Sequence, residues 1–271
     1  MEDVIARFEN VLLIYHEPHA ETLAIKDISI DFGRGNFTAI VGPSGCGKTT
    51  LLSMLAGILP PSSGRVEVLG HTLYGDGSEN KRKCRSGAAT GCDTGYMLQR
   101  DNLLDWRTIE DNVLLGLEIK HMLNEETRSY ARELLRRYGL GDFMKLYPRQ
   151  LSGGMRQKAA LIRTLVFRPK LLLLDEPFSA LDYQTKLLLA DEVHSIIRRE
   201  GCSAVLVTHD ISEAISMCDR IIVLTSRPAT VRCDVEIRLK EDSPLARRND
   251  AAFKDYFNLV WEEMMKNEEF N

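Results

Sequence analysis

The residues best suited to chemistry lie in one glycine-rich stretch in the first fifth of the chain. The stretch fits the pattern GxxxxGK[ST], and its members are Gly42, Pro43, Ser44, Gly45, Cys46, Gly47, Lys48 and Thr49. A predicted strand precedes it and a predicted helix follows it, so backbone N–H groups and the helix dipole would face a bound phosphate. Lys48 would reach the β- and γ-phosphates, and the Thr49 hydroxyl would ligate Mg²⁺. The stretch predicts a nucleotide site; the alternative is a glycine-rich turn that merely resembles the pattern.

Two adjacent carboxylates follow a continuous apolar run at residues 171–174. Such a run is typical of a parallel strand buried on both faces, and open α/β sheets bind ligands at the carboxyl ends of these strands. Asp175 suits a direct or indirect partner for Mg²⁺, and Glu176 suits a base that polarises an attacking water. The alternative, two solvated acids at a strand end, is disfavoured by the glycine-rich loop in the same chain.

Two further polar residues end predicted strands. His209 follows the apolar run at 203–208 and shares an edge of the sheet with Glu176, so we expect it to contact a γ-phosphate rather than to be a structural histidine. Gln99 follows the short apolar segment at 96–98, and by itself it indicates nothing.

Residues 151–157 (LSGGMRQ) open a second helix with a serine cap and two glycines. A capped helix start is the simplest interpretation, but its N-terminus also favours an anion. The chain has two helix N-termini that favour a phosphate but only one phosphate loop. This suggests that two copies of the chain meet across a shared nucleotide.

Secondary-structure patterns divide the chain into distinct regions. Residues 2–41 alternate in short strand-like segments, and a helix follows the glycines at 42–47. Residues 75–93 have no periodicity and are predicted to be a loop, whereas 108–168 are helical. Strand and helix alternate from Lys170 onward, and 247–266 are amphipathic. The pattern predicts an α/β core with a helical insert.

Composition excludes several classes of protein. The 271 residues are 44% hydrophobic and 27% charged with a net charge of −4, so a disordered chain and an overall basic nucleic-acid binder are both disfavoured. No stretch is apolar enough to span a membrane, and the first residues lack the pattern of a secretory signal. Six cysteines without a CxxC pair indicate free cytosolic thiols, and a metal site at Cys84 and Cys92 lacks further ligands. These features predict a cytosolic protein.

The ordered set of motifs resembles that of the ATP-binding subunits of ABC transporters over nearly the whole chain. The resemblance matches residues 42–50, including Thr50, to the Walker A loop, and residues 171–176 to Walker B. It matches Gln99 to the Q-loop, 151–157 to the signature motif, 179–182 to the D-loop and His209 to the switch histidine. Tyr15 stands where the family places an aromatic side chain that stacks on adenine; an exposed strand residue is the alternative.

The resemblance implies a P-loop NTPase core, a mostly parallel sheet flanked by helices, with an N-terminal antiparallel β subdomain and an inserted helical subdomain. It implies an ATPase domain over 1–240, its helical insert at about 100–165, and a C-terminal helical extension over 241–271. The implied catalytic residues are Glu176, His209 and Gln99, and the implied Mg²⁺ ligands are Thr49, Gln99 and Asp175. The residues implied to contact nucleotide on a partner chain are Ser152, Gly153, Gly154, Gln157 and Asp182.

The implied function is ATP binding and hydrolysis by a head-to-tail homodimer that closes over two Mg-ATP. Closure would be transmitted to a membrane-embedded permease, to which an extracytoplasmic binding protein delivers solute. The subunit would then be peripheral on the inner face of the cell membrane, with no nucleic-acid partner. Nucleotide can drive closure only through contacts that the open state lacks.

A finer resemblance is to the nitrate, sulfonate and taurine importers, including their pyrimidine-precursor and riboflavin-type relatives. It depends on residues 99–108, on 112–113 and on 257–263. That group has proline where Asp105 stands and a shorter segment at 75–93.

Three alternatives stay open. A soluble ABC-type ATPase without a permease would share every motif, although repair and translation members carry large insertions or two cassettes. A P-loop GTPase or small-molecule kinase does not explain residues 151–157, and residues 80–83 lack the aspartate of the guanine-binding NKxD pattern. A nucleic-acid binder that uses the basic run at 81–85 lacks interleaved aromatic residues.

Overall fold

The computed structural model describes residues 4–17, 20–75 and 93–266. The described strands are β1 (Val4–Glu17), β2 (Ala20–Gly33), β3 (Phe37–Val41), β4 (Ser63–Val68), β5 (His71–Tyr74), β6 (Thr94–Met97), β7 (Leu171–Asp175), β8 (Ser203–Val207), β9 (Arg220–Leu224) and β10 (Val231–Glu236). The described α-helices are α1 (Lys48–Leu55), α2 (Ile109–Ile119), α3 (Glu125–Arg137), α4 (Gly153–Leu165), α5 (Tyr183–Glu200), α6 (Ile211–Met217), α7 (Pro244–Arg247) and α8 (Phe253–Met265).

The strands form two sheets. The larger sheet has the order β10-β9-β3-β8-β7-β6, and its strands are parallel except β10, which pairs antiparallel with β9. Every residue of β3, β7 and β8 is buried, as expected for apolar runs covered on both faces. The smaller sheet, in the order β2-β1-β4-β5, is antiparallel. This arrangement confirms the predicted α/β core with an N-terminal antiparallel subdomain.

The antiparallel sheet covers one face of the parallel sheet, with α1 in the same core. Buried residues of β1, β2 and β4 join those of α1 and the inner face of β3, β7, β8 and β9 in one apolar cluster. Phe8 and Phe32 meet edge to face there, with ring centroids 6.0 Å apart. This packing holds the N-terminal end of α1 against the carboxyl edge of the sheet.

Helices α2, α3 and α4 lie between β6 and β7 in the chain and form the predicted helical insert. Each begins at a polar cap: Thr108 accepts from the Asp111 N–H, Asn124 accepts from Thr127, and Ser152 accepts from Met155. Their apolar faces share a core with α5, α6 and the outer face of the parallel sheet. The insert therefore packs against the main core through α4.

The C-terminal helices return to this core. Val260 of α8 is fully buried, and the Arg247 guanidinium donates to the Cys218 carbonyl over 3.0 Å. Contacts between α6 and α8 accompany this bond. A domain boundary at residue 240 stays a prediction, and the segment beyond it contributes side chains to the common core.

Three strands that the sequence patterns did not single out are β4, β5 and β10. Strands β4 and β10 alternate exposed or half-buried charged residues with apolar ones, and β10 has no fully buried residue. Strand β5 has four residues, of which Leu73 is buried, so none of the three has a continuous apolar run. The predicted loop at 75–93, the pair Cys84 and Cys92 and the basic run at 81–85 lie wholly or almost wholly outside the described residues. In the described part of the chain, no helix combines the length and apolar character needed to cross a bilayer.

Candidate nucleotide and hydrolysis site

The glycine-rich loop joins the carboxyl end of β3 directly to the N-terminus of α1. Gly45 and Gly47 have φ values of 73° and 121°, backbone conformations that L side chains rarely adopt. A Cβ atom at Gly42 would lie 3.1 Å from the Leu224 carbonyl oxygen and 3.0 Å from the Cys46 sulfur. Glycine is therefore required at these three positions for the turn that aims backbone N–H groups at one point.

Lys48 is buried inside this loop, with 6% of the residue exposed. Its ammonium donates to the carbonyl oxygens of Gly42 and Pro43, each over 2.9 Å. Because an ammonium has three donors, one N–H stays available for a phosphate oxygen. The two carbonyl contacts hold the charge at the centre of the loop before any ligand arrives.

Thr49 and Asp175 meet at the edge of the loop, where the Thr49 hydroxyl donates to a carboxylate oxygen of Asp175 over 2.9 Å. The Tyr96 hydroxyl donates to the other carboxylate oxygen over 3.4 Å. Burial raises the pKa of Asp175, and the hydrogen bond from Thr49 opposes that shift. A hydroxyl and a carboxylate are the oxygen donors that Mg²⁺ prefers beside substrate phosphates.

The remaining predicted catalytic side chains converge on Glu176. The imidazole Nδ1 of His209 lies 3.2 Å from Glu176 Oε2, and the Gln99 amide donates to the same oxygen over 3.3 Å. Glu176 has a φ of 44°, and its backbone N–H donates to the Val207 carbonyl on the neighbouring strand over 2.9 Å. The end of β8 therefore sets the position of Glu176, and three strand ends supply one polar cluster.

The Tyr15 hydroxyl makes a hydrogen bond to the first turn of α1, where it lies 3.1 Å from the Thr50 hydroxyl. This contact places its half-buried ring beside the phosphate loop, where an adenine would have to lie if Tyr15 stacks on it.

Arg227 is a residue that the motifs missed: its guanidinium donates to the Gly45 carbonyl over 2.8 Å. No local signal identifies Arg227, because it reaches the loop from the turn between β9 and β10.

Residues 151–157 form the start of α4 against the start of α5. The Ser152 hydroxyl accepts from the Met155 N–H over 3.3 Å, which confirms the cap, and Ser152 is exposed. Cβ atoms at Gly153 and Gly154 would lie 2.9 Å from Leu181 and 3.1 Å from Thr185. The two glycines therefore allow α4 to approach the D-loop and α5 closely.

Asp182 caps α5, where its carboxylate accepts from the Thr185 N–H over 3.0 Å, and this backbone bond lowers the pKa of Asp182. Among the described residues, the hydrogen bonds of 151–157 go to Asp101 and to local backbone, and none goes to the phosphate loop. The signature segment and Asp182 are thus not joined to the nucleotide loop of their own chain.

Gln157 differs from the other residues of the signature segment in its burial and hydrogen bonding. Only 4% of the residue is exposed, and its amide oxygen is buried without a hydrogen-bond partner among the described residues. Position 157 is one full turn into α4, on the face that packs into the core. The contact of Gln157 with a partner's nucleotide stays a prediction; within one chain its side chain packs on the inner face of α4.

Comparisons with known proteins agree with this geometry. A sequence description of the ABC transporter family matches residues 25–179, so the chain belongs to the ABC transporter ATP-binding family. The chain is 45% identical to the uncharacterised ABC transporter ATP-binding protein YtlC of Bacillus subtilis, with 94% of each chain covered. It is 38% identical to the nitrate import ATP-binding protein NrtD of Synechocystis, with 81% of this chain and 77% of that one covered.

A solved structure supports the fold assignment. The dimeric structure of the bacterial ABC transporter cassette MJ0796 superposes with a TM-score of 0.73 at 30% identity, covering 86% of this chain and 99% of that one. The family and these relatives establish an ATP-binding subunit and an ATPase, near the group that contains the nitrate and taurine proteins. The P-loop NTPase fold with its helical insert is confirmed.

Proposed function

We propose that this chain is the ATP-hydrolysing subunit of an ABC importer, acting as a head-to-tail pair on the inner face of the membrane. One observation carries the proposal: a complete phosphate loop and hydrolysis cluster share the chain with an exposed, capped helix start that, among the described residues, makes no hydrogen bond to that loop. A second copy turned head to tail would bring Ser152, Gly153 and Gly154 to the first copy's nucleotide. Asp182, exposed beside them, belongs to the same proposed surface.

The residues at the edge of the loop fit a Mg²⁺ ion bound with ATP. Thr49 and Asp175 offer a hydroxyl and a carboxylate in contact with each other, and Gln99 adds an amide oxygen at the same edge. Such an ion, when bound, neutralises phosphate charge and orients the β- and γ-phosphates. One carboxylate with neutral oxygens is the donor set expected for Mg²⁺ that keeps waters and substrate phosphates as its other ligands.

Within this site each cluster residue has a definable task. Glu176 accepts a hydrogen bond from Gln99 and lies against His209, so two side chains hold one oxygen of its carboxylate in place. A carboxylate held there can take a proton from an attacking water. His209, with more than half of its side chain exposed, is free to turn toward a γ-phosphate.

A contact with a membrane permease is supported by the segment that follows Gln99. The Arg163 guanidinium donates to the carbonyls of Asp101 and Asn102, and the fully buried Asn112 side chain makes four hydrogen bonds to the backbone at 104–108. This rigid segment presents Trp106 with 75% of its surface exposed. Exposed aromatic side chains on pre-organised backbone are typical anchors of protein interfaces.

Import, rather than export, is supported by what the relatives are named. The chain is 38% identical to a nitrate import protein and 36% identical to the taurine import protein TauB of Shigella sonnei. We infer an anionic or zwitterionic small solute, delivered to the permease by an extracytoplasmic binding protein.

The test of the pair uses Glu176→Gln. We expect this variant to bind Mg-ATP, to hydrolyse it roughly 10²–10⁴-fold more slowly, and to be trapped as a dimer, because a positioned base contributes that factor. Light scattering should then report twice the 30.6 kDa of one chain. Glu192→Gln, an exposed carboxylate of α5, is the control; a Glu176→Gln variant that stays monomeric in saturating Mg-ATP would contradict dimer closure.

The test of the permease uses affinity isolation of the full chain from detergent-solubilised membranes of its source. We expect one integral membrane protein to accompany the chain and to be lost with Trp106→Ala. Ile58→Ala is the matched control, because Ile58 is 66% exposed at a different surface. If the parent chain recovers no integral membrane protein, the soluble ABC-type ATPase without a permease becomes the better assignment. If the parent and both variants recover one equally, the permease stands and Trp106 is not its anchor.

A further inference from the structure

A closed ring of hydrogen bonds surrounds the backbone of His209. The Asp210 N–H donates to the Thr208 hydroxyl over 3.1 Å, and that hydroxyl donates to Glu213 Oε2 over 3.1 Å. The ammonium of Lys186 lies 2.9 Å from the same Glu213 oxygen and 2.7 Å from the Asp210 carboxylate. The ring therefore starts and ends at Asp210, and it clamps the residues on both sides of His209.

The charges of this ring are largely buried. Glu213 is 2% exposed, and its second carboxylate oxygen has no hydrogen-bond partner among the described residues. Burial raises the pKa of Glu213 and the Lys186 ammonium opposes that shift. Burial also disfavours the charged form of Lys186, but Glu213 and Asp210 outweigh it and raise its pKa. The positive charge of Lys186 offsets the free-energy cost of burying the Glu213 carboxylate.

Lys186 reaches the ring from another element. It lies in the first turn of α5, and its backbone N–H donates to the Asp182 carbonyl over 2.9 Å. Asp182 begins that helix and is exposed beside the signature segment. A single side chain thus joins the helix start that faces the proposed partner to the segment that holds His209 against Glu176.

We propose that Lys186 is a positioning residue for ATP hydrolysis, which holds His209 and Glu176 in register with the start of α5 through its bridge to Glu213 and Asp210. The inference rests on the proposed function, because the start of α5 is informative only if a second copy binds there. Movement of Asp182 on dimer closure then reaches His209 through one ion pair. Among the described residues the Lys186 ammonium pairs with Asp210 and Glu213 and not with the phosphate loop, so we expect its effect on hydrolysis and not on ATP binding.

The experiment compares Lys186→Met with a matched control, Lys158→Met. Both ammonium groups pair with a carboxylate, and their side chains are 14% and 16% exposed, but Lys158 pairs with Glu192 away from the ring. For Lys186→Met we expect kcat to fall about 10-fold or more, since small misplacements of catalytic groups are costly, while the calorimetric Kd for ATP changes less than about 3-fold. In the same assay, the kcat of Lys158→Met should stay within about 2-fold of the parent value.

Two further variants separate positioning from folding. The double variant Lys186→Met with Glu213→Gln removes the buried charge of Glu213 and keeps an acceptor for Thr208. The Asp210 carboxylate, 32% exposed, still accepts from the backbone N–H of residue 213. This variant therefore carries the test alone if Lys186→Met loses its thermal transition. We expect it to recover the parent Tm but not the parent kcat, whereas Lys186→Arg, which can still bridge both carboxylates, should recover most of kcat.

Several results would overturn the inference. A double variant with the parent kcat, or a Lys158→Met variant as slow as Lys186→Met, would show that the ring contributes to stability only. An equal loss in ATP affinity and kcat would place the defect in binding. If Glu176→Gln stays monomeric while Lys186→Met is still slow, the head-to-tail pair fails and the positioning role of Lys186 within one chain stands.

Discussion

At the scale of single residues, Lys48 is held ready for a phosphate by its own backbone carbonyls. Replacing it by alanine removes a charge-assisted hydrogen bond, worth on the order of 1.5–3 kcal/mol, so we expect ATP affinity to fall by one to two decades. Isothermal calorimetry measures this directly. Lys170→Ala, which removes an exposed ammonium paired with Asp93, is the control, and an unchanged affinity for the Lys48 variant would remove it from the site.

The negative charge of Asp175 favours the binding of a cation but lowers the stability of the protein when no ligand is bound. Its pKa is raised in the folded state by burial, so the folded chain holds the proton more tightly than the unfolded chain does. Stability therefore decreases as the pH rises above the unfolded pKa, and the penalty is fully present at neutral pH.

Asp175→Asn should consequently have an equal or higher Tm than the parent at pH 7 without nucleotide, and far slower hydrolysis. The difference in Tm should shrink as the pH falls toward the unfolded pKa of aspartate, about 3.9. Thermal scans with and without Mg-ATP measure both effects: Mg-ATP should stabilise the parent more than the variant. A variant that is less stable at every pH, or that gains as much from Mg-ATP, would contradict this account.

At the scale of elements, α5 connects the site to the core through His194. The imidazole stacks on Phe37 of β3 with ring centroids 6.0 Å apart, and 5% of the residue is exposed. Burial, then the nearby Arg198 and Arg247, lower the pKa of His194 to about 4 from its ordinary 6.5, against weaker opposing effects of Asp219 and Asp191. The folded state therefore binds this proton less well than the unfolded state.

The sign of this shift predicts an acid-sensitive contact between α5 and β3. Stability should be full above about pH 6.5 and should decline as the pH falls toward 4, by up to about 3 kcal/mol from this residue alone. Denaturant unfolding of His194→Gln at pH 7 and pH 5 should show a smaller loss than the parent. His16→Gln, an exposed histidine beside Glu21, is the control; parallel losses in all three proteins would exclude His194 as the source.

At the scale of the whole molecule, the phosphate loop and the signature segment lie in one chain, and no hydrogen bond among the described residues joins them. If Ser152 only caps α4, its replacement by alanine should cost about 1 kcal/mol of stability and leave hydrolysis nearly intact. If it also donates to a nucleotide on the partner, Ser152→Ala should hydrolyse slowly while ATP still binds.

Mixing Ser152→Ala chains with Lys48→Ala chains tests the shared site most directly. In a mixed dimer one site has both lesions and the other has neither, so we expect activity above that of either parent variant. Activity should rise as the two are combined and be greatest near equal amounts. A mixture that only averages the two slow variants would mean that each chain works alone or that both sites must act together, and single-turnover kinetics separates those outcomes.

Much of the fold and the site could be predicted from local pattern. The phosphate loop needs glycines, a lysine and a threonine at fixed spacing, and buried parallel strands need continuous apolar runs, so both are visible in the amino-acid sequence. The serine cap of α4 is equally local. Strands β4 and β10 were missed because charged residues alternate with their apolar ones, and β5 was missed because its four residues contain no such run.

What only the tertiary structure decided are contacts between residues far apart in the chain. Arg227 reaches the Gly45 carbonyl, and Lys186 completes a ring around His209, because strands and helices that are distant in sequence end at one edge of the sheet. The burial of Gln157 on the inner face of α4 is likewise a result of packing that its place in the motif does not show. The spacing of residues along the chain determines which chemical groups the site can contain. Packing determines which of those side chains point into the site, because burial and orientation depend on residues that are distant in the sequence.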